Sequence, residues 1–591
     1  MILKKTLLSA SIVIALAACG GSSSDPEVTP PPPPPANSAP TDLAVDANTV
    51  VENMAGVAVG ELSATDADSG DTFTFTTSDD RFVISGTTLS LAEGVSLDFE
   101  ENATVTVNVT VTDNGGLTFS KDLTIDVTDI QDTEYAFTSK FQDGVSSVSY
   151  SGQIARHVLI NELNFYIGST SESGYGLQFD LDNNVFDTKE DVIAKLNYFY
   201  KTTEVEWDGF PIRSYADSKQ TLMTEISSSY KAVFDKIAGQ DDGGQEKDWN
   251  ADPSPFAGWG ATGETTPEGL VEIFFNQLAD NAIAYRDGNL RADIQGNPIT
   301  KVYINTDGTD LKQLIQKFLL MAVPYSQSAG DYLGEDTEGK GLTTDNTAGD
   351  KDGTKAYSKL EHQFDEGFGY FGAAVNYLAY NDNEISGKVS SDTDGRADWN
   401  GKHDTDGDGK YDLLSEINFG QSVNAGKRDR GTVGNTAPTD LTKQTMAAFI
   451  EGRRIINAAA PNALTEDQMA ALIAQRDIAM DGWEKAIAAT VVHYINDTNA
   501  DLELLKTNDA SFSYSDLAKH FSEMKGFALG LQFSPYSKVS EADFKMMHDY
   551  MRKAPVTTDA DAITAYQADL IKARDILQAA LSFDADNVEN W

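Results

Sequence analysis

The feature that most constrains this chain is a change of period near residue 132. Over residues 39–132, β-branched and apolar residues alternate with polar ones in short runs at 73–77, 82–84, 105–111 and 123–127. A two-residue period sends one face of each run to a core and the other to water, as antiparallel strands require. Gly, Asn and Asp interrupt the runs about every ten residues, which predicts about seven strands in a β-sandwich. After Asp132, apolar positions such as Leu270, Ile273, Phe274 and Leu278, or Ile563, Tyr566, Leu570 and Ile571, repeat at three and four. That spacing buries one face of a helix. Capping signals at Thr266-Pro267, Thr465 to Gln468, Ser513 to Asp516 and Ser540 to Asp543 open such segments. The fold expected is therefore multidomain, a small all-β sandwich followed by a large, mainly α-helical bundle. Two stretches rich in Gly, Asp, Asn and Thr, residues 326–355 and 381–436, are expected to be long functional or ion-bound loops.

The N-terminus carries Lys4 and Lys5, an apolar run over residues 7–18, then Cys19, Gly20, Gly21 and Ser22. About a dozen apolar residues are too few to span a bilayer, so the run reads as a removable secretion signal. The order Leu16-Ala17-Ala18-Cys19 resembles the bacterial lipobox, which implies acylation of the Cys19 thiol and a mature chain that starts there. Gly20 stands where an aspartate would imply inner-membrane retention, so the resemblance favours the outer membrane. Residues 19–38 then form a lipidated terminus and a spacer whose prolines at 30–35 favour polyproline II. Cys19 is the sole cysteine. A lipidated chain has no thiol left for a disulfide or thiolate site, so any metal needs oxygen and imidazole ligands. A formal charge of −48 with no basic cluster disfavours nucleic acid and suits divalent cations or a salty habitat.

Residues 39–133 carry Val51-Glu52-Asn53, Ala64-Thr65-Asp66-Ala67-Asp68, Leu97-Asp98-Phe99-Glu100, Val111-Thr112-Asp113-Asn114-Gly115 and Asp129-Ile130-Gln131-Asp132. These motifs, in this order, resemble a cadherin domain, an Ig-like sandwich whose matching acidic positions gather around calcium at one end. The resemblance implies calcium ligation by Glu52, Asp66, Asp68, Asp98, Glu100 and Asp113, with Asp129 and Asp132 contributing from the exit linker. Phe99 and Thr133 depart from the family pattern, and only one repeat is present where family sites usually lie between two. A sandwich that has lost calcium stays open as the alternative.

In the Asp-rich loop 391–416, Asp404-Thr405-Asp406-Gly407-Asp408-Gly409-Lys410-Tyr411-Asp412 fits the first nine positions of an EF-hand-type calcium loop. Asp404, Asp406, Asp408 and Asp412 are the candidate ligands. Ser415 holds the twelfth position, and Glu416 falls one residue late. Two helical motifs, His362-Gln363-Phe364-Asp365-Glu366 and His520-Phe521-Ser522-Glu523, set an imidazole beside a carboxylate, and His493 sits in a third helix. These residues resemble the Gly-x-His-x-x-Glu motif of imelysin-like envelope proteins, although Leu360 and Ala518 replace its glycine and Asp365 its first glutamate. Outside the motifs, most of residues 134–591 resembles an uncharacterised bacterial lipoprotein family. The resemblance implies a site of His362, Asp365, Glu366, His493, His520 and Glu523 for iron or another divalent metal.

The expectation is an outer-membrane lipoprotein that binds calcium and whose helical domain captures a metal or metal-bearing ligand for envelope uptake. A receptor or cell-surface partner would follow. Calcium-dependent adhesion and a metal-dependent peptidase are the alternatives. No His-Glu-x-x-His motif, nucleophile elbow or phosphate loop stands out, so no catalytic residue is assigned.

Overall fold

The computed structural model describes residues 36–591 except 53, 55, 100–101, 129–132, 229, 241–246 and 336–338. Cys19, the prolines at 30–35, Glu100, Asp129 and Asp132 lie outside the described residues. The described chain divides into two compact units, one up to residue 130 and one from 131 onward.

The first unit contains β1 (Asp42–Val45), β2 (Thr49–Val51), β3 (Ala58–Thr65), β4 (Thr74–Thr77), β5 (Phe82–Ser85), β6 (Thr88–Leu91), β7 (Thr104–Thr112) and β8 (Thr118–Thr128). One sheet runs β1-β3-β6-β5 and the other β2-β8-β7-β4. Where about seven antiparallel strands were expected there are eight, and the three-residue β2 pairs with β8 in parallel, Val50 opposite Val127. The alternation does the predicted work. Val105, Val107, Val109 and Val111 of β7 and Leu123, Ile125 and Val127 of β8 are buried, while the intervening residues face outward. Their register, Val107 opposite Leu123 and Val105 opposite Ile125, stacks branched side chains across one face. The β7–β8 turn closes with Asp113 N–H donating to the Leu117 carbonyl (3.0 Å) and Gly116 at φ +85°, a conformation that favours glycine.

The second unit is mainly helical. Its long helices are α1 (Ser151–Gly168), α2 (Pro267–Arg286), α3 (Leu311–Leu320), α4 (Lys359–Phe371), α5 (Gly420–Arg430), α6 (Leu441–Ala459), α7 (Glu466–Lys506), α8 (Tyr514–Ala528), α9 (Glu541–Met551) and α10 (Ala560–Leu581). α7 has 41 residues. At 1.5 Å per residue it is roughly 60 Å long and gives α5, α6, α8 and α10 a common packing surface. Trp483 at its middle is fully buried against Phe371 of α4 and Phe449 of α6. All four predicted capping signals form, for example Thr266 Oγ accepting from Gly269 N–H at 3.0 Å and Thr465 from Gln468 N–H at 3.2 Å.

Two expected loops prove partly helical. Residues 321–325 and 328–332 are wound as π-helix and continue α3, so the loop predicted from 326 begins near 334. Pro324 explains the widened winding, because proline has no N–H to give an α-helical bond and crowds the preceding turn. Likewise α5 falls inside the stretch 381–436. Its apolar content is too low for a periodic signal, yet Ala425 and Gly426 are buried.

Candidate cation sites

At the rim of the sandwich, carboxylate oxygens of Asp66, Asp71 and Asp113 lie within 4.8 Å of one another. The β7–β8 turn positions Asp113, whose Oδ1 accepts from Leu117 N–H (2.9 Å) and whose Oδ2 accepts from the Asn37 amide (3.0 Å). Burial opposes the Asp113 charge, but these donors and the Gly115 and Gly116 amides hold its carboxyl below the ordinary range. Asp66 Oδ1 accepts from Asp68 N–H (2.9 Å), and Asp68 Oδ2 accepts from Ser38 N–H (2.6 Å). Asp66 Oδ2 and Asp71 Oδ2 are buried without a hydrogen-bond donor. Burial, then the charges of Asp66, Asp68 and Asp113, push the Asp71 carboxyl up, despite a hydrogen bond from Asn114. A cation between these oxygens would relieve that repulsion.

Sequence reasoning missed Asp71, which lies three residues past Asp68 in the same loop. Glu52 is fully buried and accepts from Phe99 N–H at 2.7 Å, which ties the end of β2 to Phe99. Asp98 is half-buried, its carbonyl accepting from Asn102 N–H at 3.0 Å.

In the helical unit, Asp404, Asp406 and Glu416 form a second group with oxygens within 4.8 Å. Both Asp404 oxygens accept backbone N–H groups, Oδ1 from Gly407 (2.8 Å) and Oδ2 from Gly409 (2.7 Å), with those glycines at φ +73° and +90°. Glu416, nominally a residue late, reaches back because its N–H donates to the Asp412 carbonyl in a helical turn (2.9 Å). Its Oε1 accepts from the Thr405 amide (2.7 Å) and hydroxyl, and its Oε2 from Asp412 N–H (2.7 Å). Of the other expected ligands, Asp408 accepts from Lys410 N–H and Asp412 from the Gln220 amide, so the gathered set differs from the predicted one. Lys219 reaches into the loop from a distant segment. Its Nζ stands 2.7 Å from Asp406 Oδ2 and 3.4 Å from Asp408 Oδ2, and its pKa is raised chiefly by the hydrogen bond to Asp406. An ion entering there competes with this ammonium.

The predicted histidine set does not form one site. Asp365 is fully buried and committed elsewhere, accepting from Arg453 Nε (2.8 Å), the Tyr135 hydroxyl (2.8 Å) and Ser149 N–H (3.0 Å). Arg453 also pairs with Glu361 (2.8 Å), so this buried network fixes α4 against α6. His362 and Glu366 stay outside that network. His362 Nδ1 bonds the Ser149 carbonyl (3.0 Å), and Glu366 accepts from Gln153 (2.8 Å), leaving His362 Nε2 3.9 Å from Glu366 Oε1. Glu523 is paired with Lys317 (3.3 Å).

His493 and His520 do meet, through two aspartates that sequence reasoning missed. Asp497 Oδ2 lies 3.4 Å from His493 Nε2 and 3.9 Å from His520 Nε2, and Asp501 Oδ2 is 2.8 Å from His520 Nδ1. The available signal was their spacing. His493, Asp497 and Asp501 recur every fourth residue along α7 and so share the face that α8 covers with His520. Burial, then the Arg428 charge, push His493 down to about 3. For His520 burial acts downward, but the Asp501 hydrogen bond and the charges of Asp501 and Asp497 outweigh it and raise its pKa.

A family model described as a domain of unknown function (DUF4856) matches residues 132–394. That span includes α1 to α4 with His362 and Glu366, and it ends before the 404–416 loop and the α7–α8 pair. No curated protein matches the chain.

Proposed function

We propose that this chain is a lipid-anchored, calcium-binding protein of the bacterial outer membrane, with one calcium held at the rim of the sandwich and another in the 404–416 loop. The observation that carries this is the presence of two preformed groups of carboxylate oxygens, Asp66/Asp71/Asp113 and Asp404/Asp406/Glu416. Calcium takes six to eight oxygen ligands, and neighbouring carboxylates and carbonyls supply hard oxygen donors of that kind. The lipobox-like residues 16–19 support the anchor, which puts both sites outside the cytoplasm, where calcium is freely available.

Isothermal titration of the purified chain with Ca2+ tests this. Two binding events are expected, one abolished by Asp113→Asn and the other by Asp404→Asn. A wild-type chain that takes up no calcium, or variants that bind as wild type does, would overturn the proposal. Calcium-dependent clustering of beads coated with the protein would mark adhesion as its use.

A further inference from the structure

We propose that His493, Asp497 and His520 form a binding site for a divalent first-row transition cation such as Zn2+ or Fe2+, with Asp501 holding His520 in its ligating orientation. The inference shares no residue with the two acidic groups and stands whether or not those bind calcium.

Two imidazoles and one carboxylate from two packed helices make a nitrogen-rich donor set that calcium disfavours and that zinc, iron and manganese accept. Asp497 Oδ2 lies between the two Nε2 atoms, at 3.4 and 3.9 Å. Bonds of about 2.0–2.2 Å set ligand atoms in a tetrahedral site roughly 3.4 Å apart. The His493–Asp497 edge already has that length. His520 stands beyond it, and the trio's ligand atoms do not all fall within 4.8 Å of one another as those of the two acidic groups do, so the two imidazoles must draw together around the ion.

Asp501 supplies the feature that separates this arrangement from a surface ion pair. His520 Nδ1–H donates to Asp501 Oδ2 at 2.8 Å, so the neutral ring presents its Nε2 lone pair toward Asp497, and an ion binding there displaces any proton on Nε2. Metal-bound histidines almost always donate their second ring nitrogen to such a carboxylate. The side chains of His493, Asp497 and His520 are 29%, 36% and 20% exposed, so an ion can enter and keep open positions toward solvent. Asp497 faces His520, Arg428 and Lys519, and His493 faces Arg428 and Lys427, so an entering dication competes with these resident cations for the carboxylates.

The test uses the full chain in saturating calcium, so that the acidic groups are occupied, titrated with Zn2+ by calorimetry and with Co2+ by visible absorption. One zinc per chain and a cobalt spectrum of low coordination number are expected. His493→Ala and His520→Ala should each weaken zinc binding by at least about tenfold, and Asp501→Asn by roughly 10–100-fold with stoichiometry unchanged. His362→Ala should bind as wild type does. Asp497→Asn, which preserves side-chain volume, guards against misfolding, and circular dichroism confirms that each variant stays helical. Absence of zinc binding, full affinity in the His493/His520 double alanine variant or in Asp497→Asn, or an equal loss in His362→Ala overturns the proposal.

Discussion

His157 shows how a single buried group ties stability to pH. It is fully enclosed in α1, donates Nε2–H to the Tyr370 carbonyl at 3.0 Å and stacks on Phe419, while Nδ1 has no hydrogen-bond partner. Burial pushes its pKa from 6.5 down to about 4. As pH falls below 6.5 the unfolded chain takes up this proton first, so the stabilisation is complete above 6.5 and is lost progressively toward pH 4. At about 1.4 kcal/mol per pH unit the loss is roughly 3 kcal/mol. Urea unfolding across this range should show it, and His157→Gln, which keeps a donor for Tyr370 but cannot titrate, should flatten the slope. An identical slope in the variant would show that other groups set the acid sensitivity. Asp365 and Glu366 illustrate a different point at the same scale. One residue apart on α4, they differ by about 100° around the helix axis, so one enters the Arg453 network and the other stays beside His362. Sequence spacing alone does not say which of two adjacent carboxylates faces inward.

Among the elements, what was legible followed from local rules. Helix starts at Thr266, Thr465, Ser513 and Ser540 could be read because a cap needs only its own side chain and a backbone N–H three residues on. Strand alternation in β7 and β8 could be read for the same reason. The approach of α8 to the His493 face depends on how two separate helices pack, whereas the π-wound continuation of α3 and the return of Glu416 arise from local backbone geometry that side-chain periodicity does not encode. Context also decides how much a cap contributes. Thr465 is exposed, so Thr465→Ala should cost about 1 kcal/mol. Ser358 caps α4 with Glu361 N–H (3.0 Å) but is fully buried and also donates to Asn346 Oδ1 (2.6 Å). Ser358→Ala leaves that buried acceptor unpaired, which adds a further ~1–3 kcal/mol. Urea midpoints of the two variants should therefore differ clearly, and equal losses would mean that Asn346 finds another donor.

For the molecule as a whole, the charge of −48 admits two explanations, general repulsion that salt relieves or particular sites that calcium fills. In ~0.15 M NaCl the screening length is about 8 Å, so most repulsion between exposed carboxylates is already damped. A further millimolar of calcium barely changes ionic strength. Ions that bind only the folded state nonetheless stabilise it by about 2.7 kcal/mol at a hundredfold excess over Kd. Calcium should therefore raise the melting temperature well beyond a sodium control of matched ionic strength. The sandwich and the helical unit have separate cores, so their transitions can be followed apart. Asp113→Asn should remove the calcium shift from the sandwich transition alone, and Asp404→Asn from the helical one alone. If sodium at matched ionic strength stabilises as much as calcium, the acidic excess acts through its overall field, and the two groups are solvated rims rather than sites.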